Sequence, residues 1–329
     1  MDGIDRDDII EEIDIVQRSS LQLTLRRLWY DRSSMMALVV IGAVVSMAFA
    51  APMLAAITGH SPIEQFRETG LSPMGIPVGP GSEFWLGTDQ LGRDQLVRLA
   101  YGVRVSLLVG VLASLAASTI AVIVGLTAGY FGGWVDTVLS RLIDLVMSVP
   151  FLLCALALVS VLGPSLLLSV SVIVFFSWAA MARVIRGQVI SLRRQDFVQA
   201  SRSLGAGHLS IMVIDILPNL TVPIIVYATM MIPSAIVFEA TLSFLGMGIV
   251  PPTPSWGGML ADASANSMYL VAWWMVFVPG VALLVTTLAF NIFGDGLRDA
   301  LDPKSARTAA RLWRQRAKRD GKTKTEAGG

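Results

Sequence analysis

Apolar and polar positions along this 329-residue chain are sorted into long blocks. Six apolar blocks are each long enough to cross a hydrocarbon core of about 30 Å, which takes about 20 residues of helix rising about 1.5 Å each. They run from Met35 to Ile57, Val103 to Leu126, Val138 to Leu162, Leu166 to Ile185, Leu220 to Glu239 and Leu270 to Phe293. A chain crossing lipid must satisfy its own backbone N–H and C=O groups, so the pattern predicts six helices and an all-α membrane protein.

Composition agrees with the blocks. Charged residues make up 15% of the chain and mean hydropathy is +0.67, against about 25% charged residues in an ordinary soluble domain. The net charge of +1 offers no basic face for nucleic acid.

The placement of Lys and Arg predicts sidedness, because these residues avoid translocation. Five arginines precede Met35, five lie between Arg183 and Asn219, ten Lys and Arg follow Phe293, and Thr241 to Tyr269 has none. Both termini and the segment 186–219 are therefore expected in the cytoplasm. The segment 58–102, with Arg67, Arg93 and Arg98, is the exception, and its length lets it obey the rule less strictly.

The division expected is a cytoplasmic segment 1–34, a six-span body 35–303 and a basic cytoplasmic tail 304–329 attracted to anionic lipid. Leu21 to Tyr30 reads as an interfacial helix lying on the cytoplasmic leaflet. The long acidic stretch ahead of Met35 argues against a cleaved signal peptide.

Candidate chemistry is sparse. Cys154 reads as a small buried hydrophobe, and His60 and His208 read as solvated loop residues with no ligand partners at helical spacing, so neither a metal nor a cofactor is expected. The sequence has no phosphate-binding GxxxxGK[ST] loop, no HExxH and no GxSxG, so nothing in it predicts hydrolysis of a nucleotide or a peptide bond. Arg141 and Asp144, three apart near the inner end of the third block, share a helix face and read as an inner gate or as a structural ion pair. Pro150 interrupts the third block, Pro223 and Pro233 interrupt the fifth, and Glu239 ends the fifth before an uncharged, proline-rich loop.

One polar block interrupts the apolar pattern: QDFVQASRSLGAGHLSIMVIDILPN, from Gln195 to Asn219. Phe197 to Leu204 reads as a short helix stopped by Gly205. Ala200 and Ser201 let another protein approach that helix closely, and Gly205 permits a left-handed or tightly packed backbone. Leu209 to Leu217 resumes an amphipathic pattern until Pro218, which predicts a break before the next span.

Gln199, Ala200, Ser201, Gly205, Leu217 and Pro218 resemble the EAA loop of ABC importer permeases, with Gln199 in place of the usual Glu, Ser201 in place of the second Ala and Asp215 in place of an apolar residue. LGTDQLGRD (Leu86 to Asp94), RGQVISLRRQDFVQASRSLGA (Arg186 to Ala206), LSFLGMGIVPPTPSWGGML (Leu242 to Leu260) and NIFGDGLRDALDP (Asn291 to Pro303) resemble the C-type permease subunit of the oligopeptide, dipeptide and nickel branch. The resemblance implies the type I ABC importer permease fold with a cytoplasmic coupling helix, and ATPase coupling through Phe197, Gln199, Ala200, Ser201, Leu204, Gly205, Leu217 and Pro218. It also implies a second homologous permease, two ABC ATPase subunits of the same or different kind, and an extracytoplasmic substrate-binding protein that faces the loop after Glu239. Peptides are the substrate class implied, with nickel chelates or glutathione as alternatives. A transporter driven by an ion gradient is disfavoured, because the charges of the spans sit at their ends and not in pairs at the midplane.

Overall fold

A computed structural model describes residues 28–301. Most of the expected interfacial helix, the acidic stretch before it and the basic tail lie outside the described residues; only 28–30 of the interfacial helix are described, and they are helical. Nine helices of eight or more residues are described: α1 Arg32–Thr58, α2 Gln95–Phe131, α3 Gly133–Ser148, α4 Phe151–Leu162, α5 Leu166–Leu192, α6 Asp196–Ser203, α7 Thr221–Phe244, α8 Trp256–Ser264 and α9 Trp274–Leu301. The only extended pairing among the described residues is two isolated bridges, Leu71 with Pro77 and Thr88 with Asp94.

Five helical segments are long and apolar enough to cross a membrane. The third apolar block differs from the single span expected over Val138 to Leu162: α3 and α4 meet at an 80° bend. Pro150 is the cause, since it has no N–H for the helical ladder and forces Val149 into an extended conformation (φ −82°, ψ 126°). Pro233, by contrast, stays inside α7, where neighbouring helices hold it.

α2 is the axis of the bundle, packing on α1, α5 and α7. At about 1.5 Å per residue it is about 55 Å long, well beyond the hydrocarbon thickness, so it links the two ends of the molecule. Its buried stripe is built of small residues at three- and four-residue spacing, Ser106, Gly110, Ala113, Ala117, Ala121 and Gly125 among them, which lets helix backbones approach closely in lipid. The tightest contact is with α5: a Cβ on Gly129 would lie 2.6 Å from the Cβ of Val189 and 2.8 Å from the carbonyl of Arg186.

The end of the bundle that carries residues 59–94 and α8 accounts for two of the three arginines that depart from the charge rule, Arg93 and Arg98, while Arg67 is exposed. Arg93 Nε lies 2.6 Å from Asp89 Oδ2, and its NH2 lies 2.9 Å from Asp262 Oδ2 on α8. Arg98 bridges the same two carboxylates at 3.2 and 3.3 Å. Both guanidiniums are buried and balanced by carboxylates, so they are structural charges and carry no information about sidedness. Burial pushes the Asp262 carboxyl above its usual range, against the pull of Arg98 and Arg93.

Three further expectations change here. His60 is buried, not solvated: its ring stacks on Phe84 and tilts against Phe66, and Nδ1 sits 2.7 Å from Asp94 Oδ2. The other oxygen of Asp94 accepts from the N–H groups of Leu96 and Val97, capping α2, so one carboxylate joins the loop to the helix start. Glu239 does not end its span, because α7 continues to Phe244. It is fully buried and accepts from Ser106 at 3.2 Å and Ser243 at 2.7 Å, tying α2 to α7. Cys154 is only half-buried on α4.

Candidate functional site

The polar block lies at the opposite end of α2, beside Tyr130. α6 spans Asp196–Ser203, one residue earlier than expected at either end, and its termination is built as the sequence suggests. Gly205 has φ +83°, in the left-handed region. The N–H of Ala206 reaches the carbonyl of Ser201 at 3.0 Å, and the N–H of Gly205 reaches that of Arg202 at 3.1 Å. Those two bonds are the Schellman motif, which satisfies carbonyls a helix end otherwise leaves orphaned. The second half of the expectation, tight packing at Gly205, does not hold within this chain: a Cβ there would meet nothing within 4 Å.

α6 buries a single residue, Val198, in a core shared with Ile185, Val189, Ile211 and Ile216. Phe197, Gln199 and Ala200 face outward, Ser201 is half-buried, and Leu204 is 88% exposed. Leu209 and Ile214 extend the exposed apolar surface beyond Gly205. The predicted residues from Phe197 to Gly205 are thus held together on one short, protruding element pinned by one hydrophobic anchor.

Leu217 and Pro218 behave differently from expectation. The chain does not break there: His208–Phe244 is helical throughout, passing through a π turn at Ile211–Ile216 and a 3₁₀ turn at Leu217–Leu220. Changing the helical repeat lets Pro218 sit at the first turn of the 3₁₀ stretch, where its missing N–H costs least.

Several contacts strap the block to the spans. The hydroxyl of Tyr130, on α2, lies 2.9 Å from Nδ1 of His208, so this exposed histidine is anchored and not free in solvent. Arg193, at the end of α5, donates to the carbonyl of Tyr130 at 3.1 Å. Gln199 Nε2 donates to the carbonyl of Arg193 at 2.8 Å. A carboxylate could only accept, so the amide at position 199 makes a bond that a Glu in that place could not.

Arg141 and Asp144 are not the close pair that their spacing suggested. Their nearest approach is 4.0 Å and Arg141 is 82% exposed, whereas Asp144 lies 2.6 Å from Arg183 on α5. A second bridge between the same helices joins Asp136 to Arg186 through two parallel bonds, one of them 2.7 Å. These pairs fix α3 against α5. The three-residue spacing found the carboxylate and its weaker, exposed partner, but not the shorter bridge to Arg183, which lies 39 positions away on another helix.

Comparison with known proteins places these features. Residues 121–307 match the family described as binding-protein-dependent transport system inner membrane component. The chain is 45% identical over 262 residues to the di/tripeptide transport system permease protein DppC of Pseudomonas aeruginosa (strain UCBPP-PA14), covering 79% of this chain and 84% of that protein. It is 39% identical to the dipeptide transport system permease protein DppC of Bacillus subtilis (strain 168), covering 90% of both. It is also 39% identical to the oligopeptide transport system permease protein OppC of Escherichia coli (strain K12), covering 89% of this chain and 94% of that one. Among solved structures, a chain of the MetNI methionine ABC transporter, in its inward-facing conformations, shares the fold with a TM-score of 0.51 at 17% identity, covering 62% of this chain and 96% of its own length. Together these matches show that the chain, a multi-pass membrane protein with the type I permease fold, belongs to the family of binding-protein-dependent transport inner membrane components.

Proposed function

We propose that this chain forms half of the membrane pathway of an ATP-driven importer of peptides, and that its polar block is the surface on which an ATPase subunit docks. The observation that carries the reading is α6: a capped helix with one buried anchor, an outward face of Phe197, Gln199, Ala200 and Leu204, and a bond from Gln199 to the carbonyl of Arg193, whose own side chain holds the carbonyl of Tyr130 on α2. Family membership supports an ATPase and a binding protein as partners, and the names of the relatives favour peptides over nickel chelates or glutathione.

In this reading residues 35–303 are the permease domain, flanked by cytoplasmic segments 1–34 and 304–329, with the block also in the cytoplasm, an orientation that the Lys and Arg distribution supports. Residues 59–94 and α8 face the other side and meet the binding protein. A second, homologous permease closes the pathway, and two ATPases, identical or different, dock one to each permease. Arg141 and Asp144 serve as part of the α3–α5 frame rather than as a gate, since Asp144 is committed to Arg183.

Coupling follows from how the block is attached. ATP binding draws the ATPases together, and α6 moves with the one it sits in. The Arg193 and His208 contacts to Tyr130 carry that displacement into α2, which reaches the far end of the bundle. Two ligands acting on one two-state element is what coupling between ATP and transported substrate requires.

The test reads hydrolysis and uptake together, in vesicles holding the whole complex with its binding protein. In the wild type, peptide uptake requires ATP and binding protein. The Tyr130→Phe, His208→Ala double variant keeps the ring of residue 130 but removes the hydrogen bond. It should still hydrolyse ATP while importing several-fold less peptide per ATP. An unchanged ratio would show that this clasp carries no coupling.

A further inference from the structure

The elbow between α3 and α4 encloses space that the coupling machinery does not use. A cavity of about 370 Å3 lies in its crook, walled by Met147, Phe151, Ser177, Met231, Ser234 and Phe238, which is within the range of about 300–1,000 Å3 usual for ligand sites. At about 1.5 Å per residue, Ser177 lies about 16 Å from the start of α5 at Leu166 and Ser234 about 20 Å from the start of α7 at Thr221. Both are therefore near the middle of their spans.

Those two serines are the unusual feature. Ser177 makes no side-chain hydrogen bond among the described residues, although a helical serine usually has a carbonyl one turn back within reach. Ser234 reaches only the carbonyl of Met230, at 3.4 Å, near the limit for a hydrogen bond. Both residues stay partly exposed. A hydroxyl left without a partner in lipid loses about 1–3 kcal/mol, so a wall with two available hydroxyls at mid-membrane is built to meet something polar.

The rest of the wall says what kind of group. Phe151 packs on Phe238 with ring centroids 4.3 Å apart and on Phe176 at 5.4 Å, which makes a firm aromatic floor. Met147 and Met231 supply flexible, polarizable surface that adapts to different shapes. No charged residue lines the cavity, so it selects for neither end of a charged ligand. Between their charged ends, peptides of different sequence share only their backbone amides.

We infer that this cavity is a half-site for a peptide in transit, in which the hydroxyls of Ser177 and Ser234 bond successive backbone amides while the Phe and Met surfaces accept varied side chains. The inference rests on the importer reading and specifies where substrate touches this chain. The 80° elbow gains a role with it: a straight third span would close the crook that α4 opens.

Thiol labelling of the complete complex in vesicles tests the site. In a Cys154→Ser background, Ser177→Cys and Ser234→Cys are treated with a charged, membrane-impermeant methanethiosulfonate reagent, with Leu115→Cys, an exposed mid-span position on α2, as reference. The expected result is modification of both serine-derived thiols at least tenfold faster than that of Leu115→Cys, slowed several-fold while peptide is being transported, and uptake lost after modification. Thiols that react no faster than the reference, with uptake intact, would overturn the site and show the cavity filled by lipid or by a helix of the second permease. Wild-type vesicles that import no peptide would refute the importer reading itself, whatever the labelling shows.

Discussion

Replacing Gly205 by valine is expected to leave the chain in the membrane but to lower its association with the ATPase subunits at least tenfold, with loss of uptake to match. The left-handed conformation at φ +83° costs an L-residue about 1–2 kcal/mol, and a β-branched one more; each 1.4 kcal/mol is a factor of about ten in association. When the chain leaves that conformation it loses the bonds from Gly205 and Ala206 to Arg202 and Ser201, and the last turn of an eight-residue helix unwinds together with Ser201 and Leu204. Because a Cβ has open space at this position, asparagine, which tolerates the left-handed region, separates two causes. Binding restored by Gly205→Asn assigns the defect to backbone conformation, and binding still lost assigns it to the ATPase surface filling the space. Co-purification of ATPases with the detergent-solubilised chain reads both. Normal association of the valine variant would contradict docking at this helix.

Removing Asp262 is expected to do the most damage to the fold. The two buried guanidiniums of Arg93 and Arg98 would then share Asp89 alone. Leaving a buried charge unpaired costs about 3–5 kcal/mol, a large part of a typical stability of about 5–15 kcal/mol. Asp262→Ala should therefore melt far below the wild type, or fail to accumulate. Adding Arg98→Leu restores one guanidinium to one carboxylate and should recover part of the loss, a pattern that rules out simple loss of packing at residue 262. Thermal unfolding of the purified chain, followed by the fraction still monodisperse, makes the comparison. A wild-type melting temperature for Asp262→Ala would mean that the cluster is not structural.

The spans were legible because lipid leaves a backbone few options: a run of about 20 apolar residues is a helix. The block was legible because its signals are local. A Gly after a short polar helix marks an αL cap, and the structure places Gly205 there. What the sequence did not disclose is long-range. Nothing in the spacing joins Asp144 to Arg183, His60 to Asp94 across 34 positions, or Arg93 to Asp262 across 169. The sharp turn at Pro150 was hidden for a related reason: a proline in a span kinks it by an amount that the neighbouring helices decide. Val198 was passed over in favour of its neighbours because an eight-residue helix has too few turns to reveal which side faces the core.

That buried anchor also dictates how the central claim is tested. Excising the block would remove Val198, Ile211 and Ile216 from the core and damage the bundle itself, so the docking face must be changed from outside. Ala200→Arg together with Leu204→Asp alters only exposed positions of α6 and its cap. The decisive measurement is ATP-driven uptake of a binding-protein-delivered peptide into vesicles containing the complete complex. The account predicts uptake with the wild-type chain and none with this variant, although the two permeases remain paired in the membrane. Uptake at the wild-type rate through the altered face would contradict it.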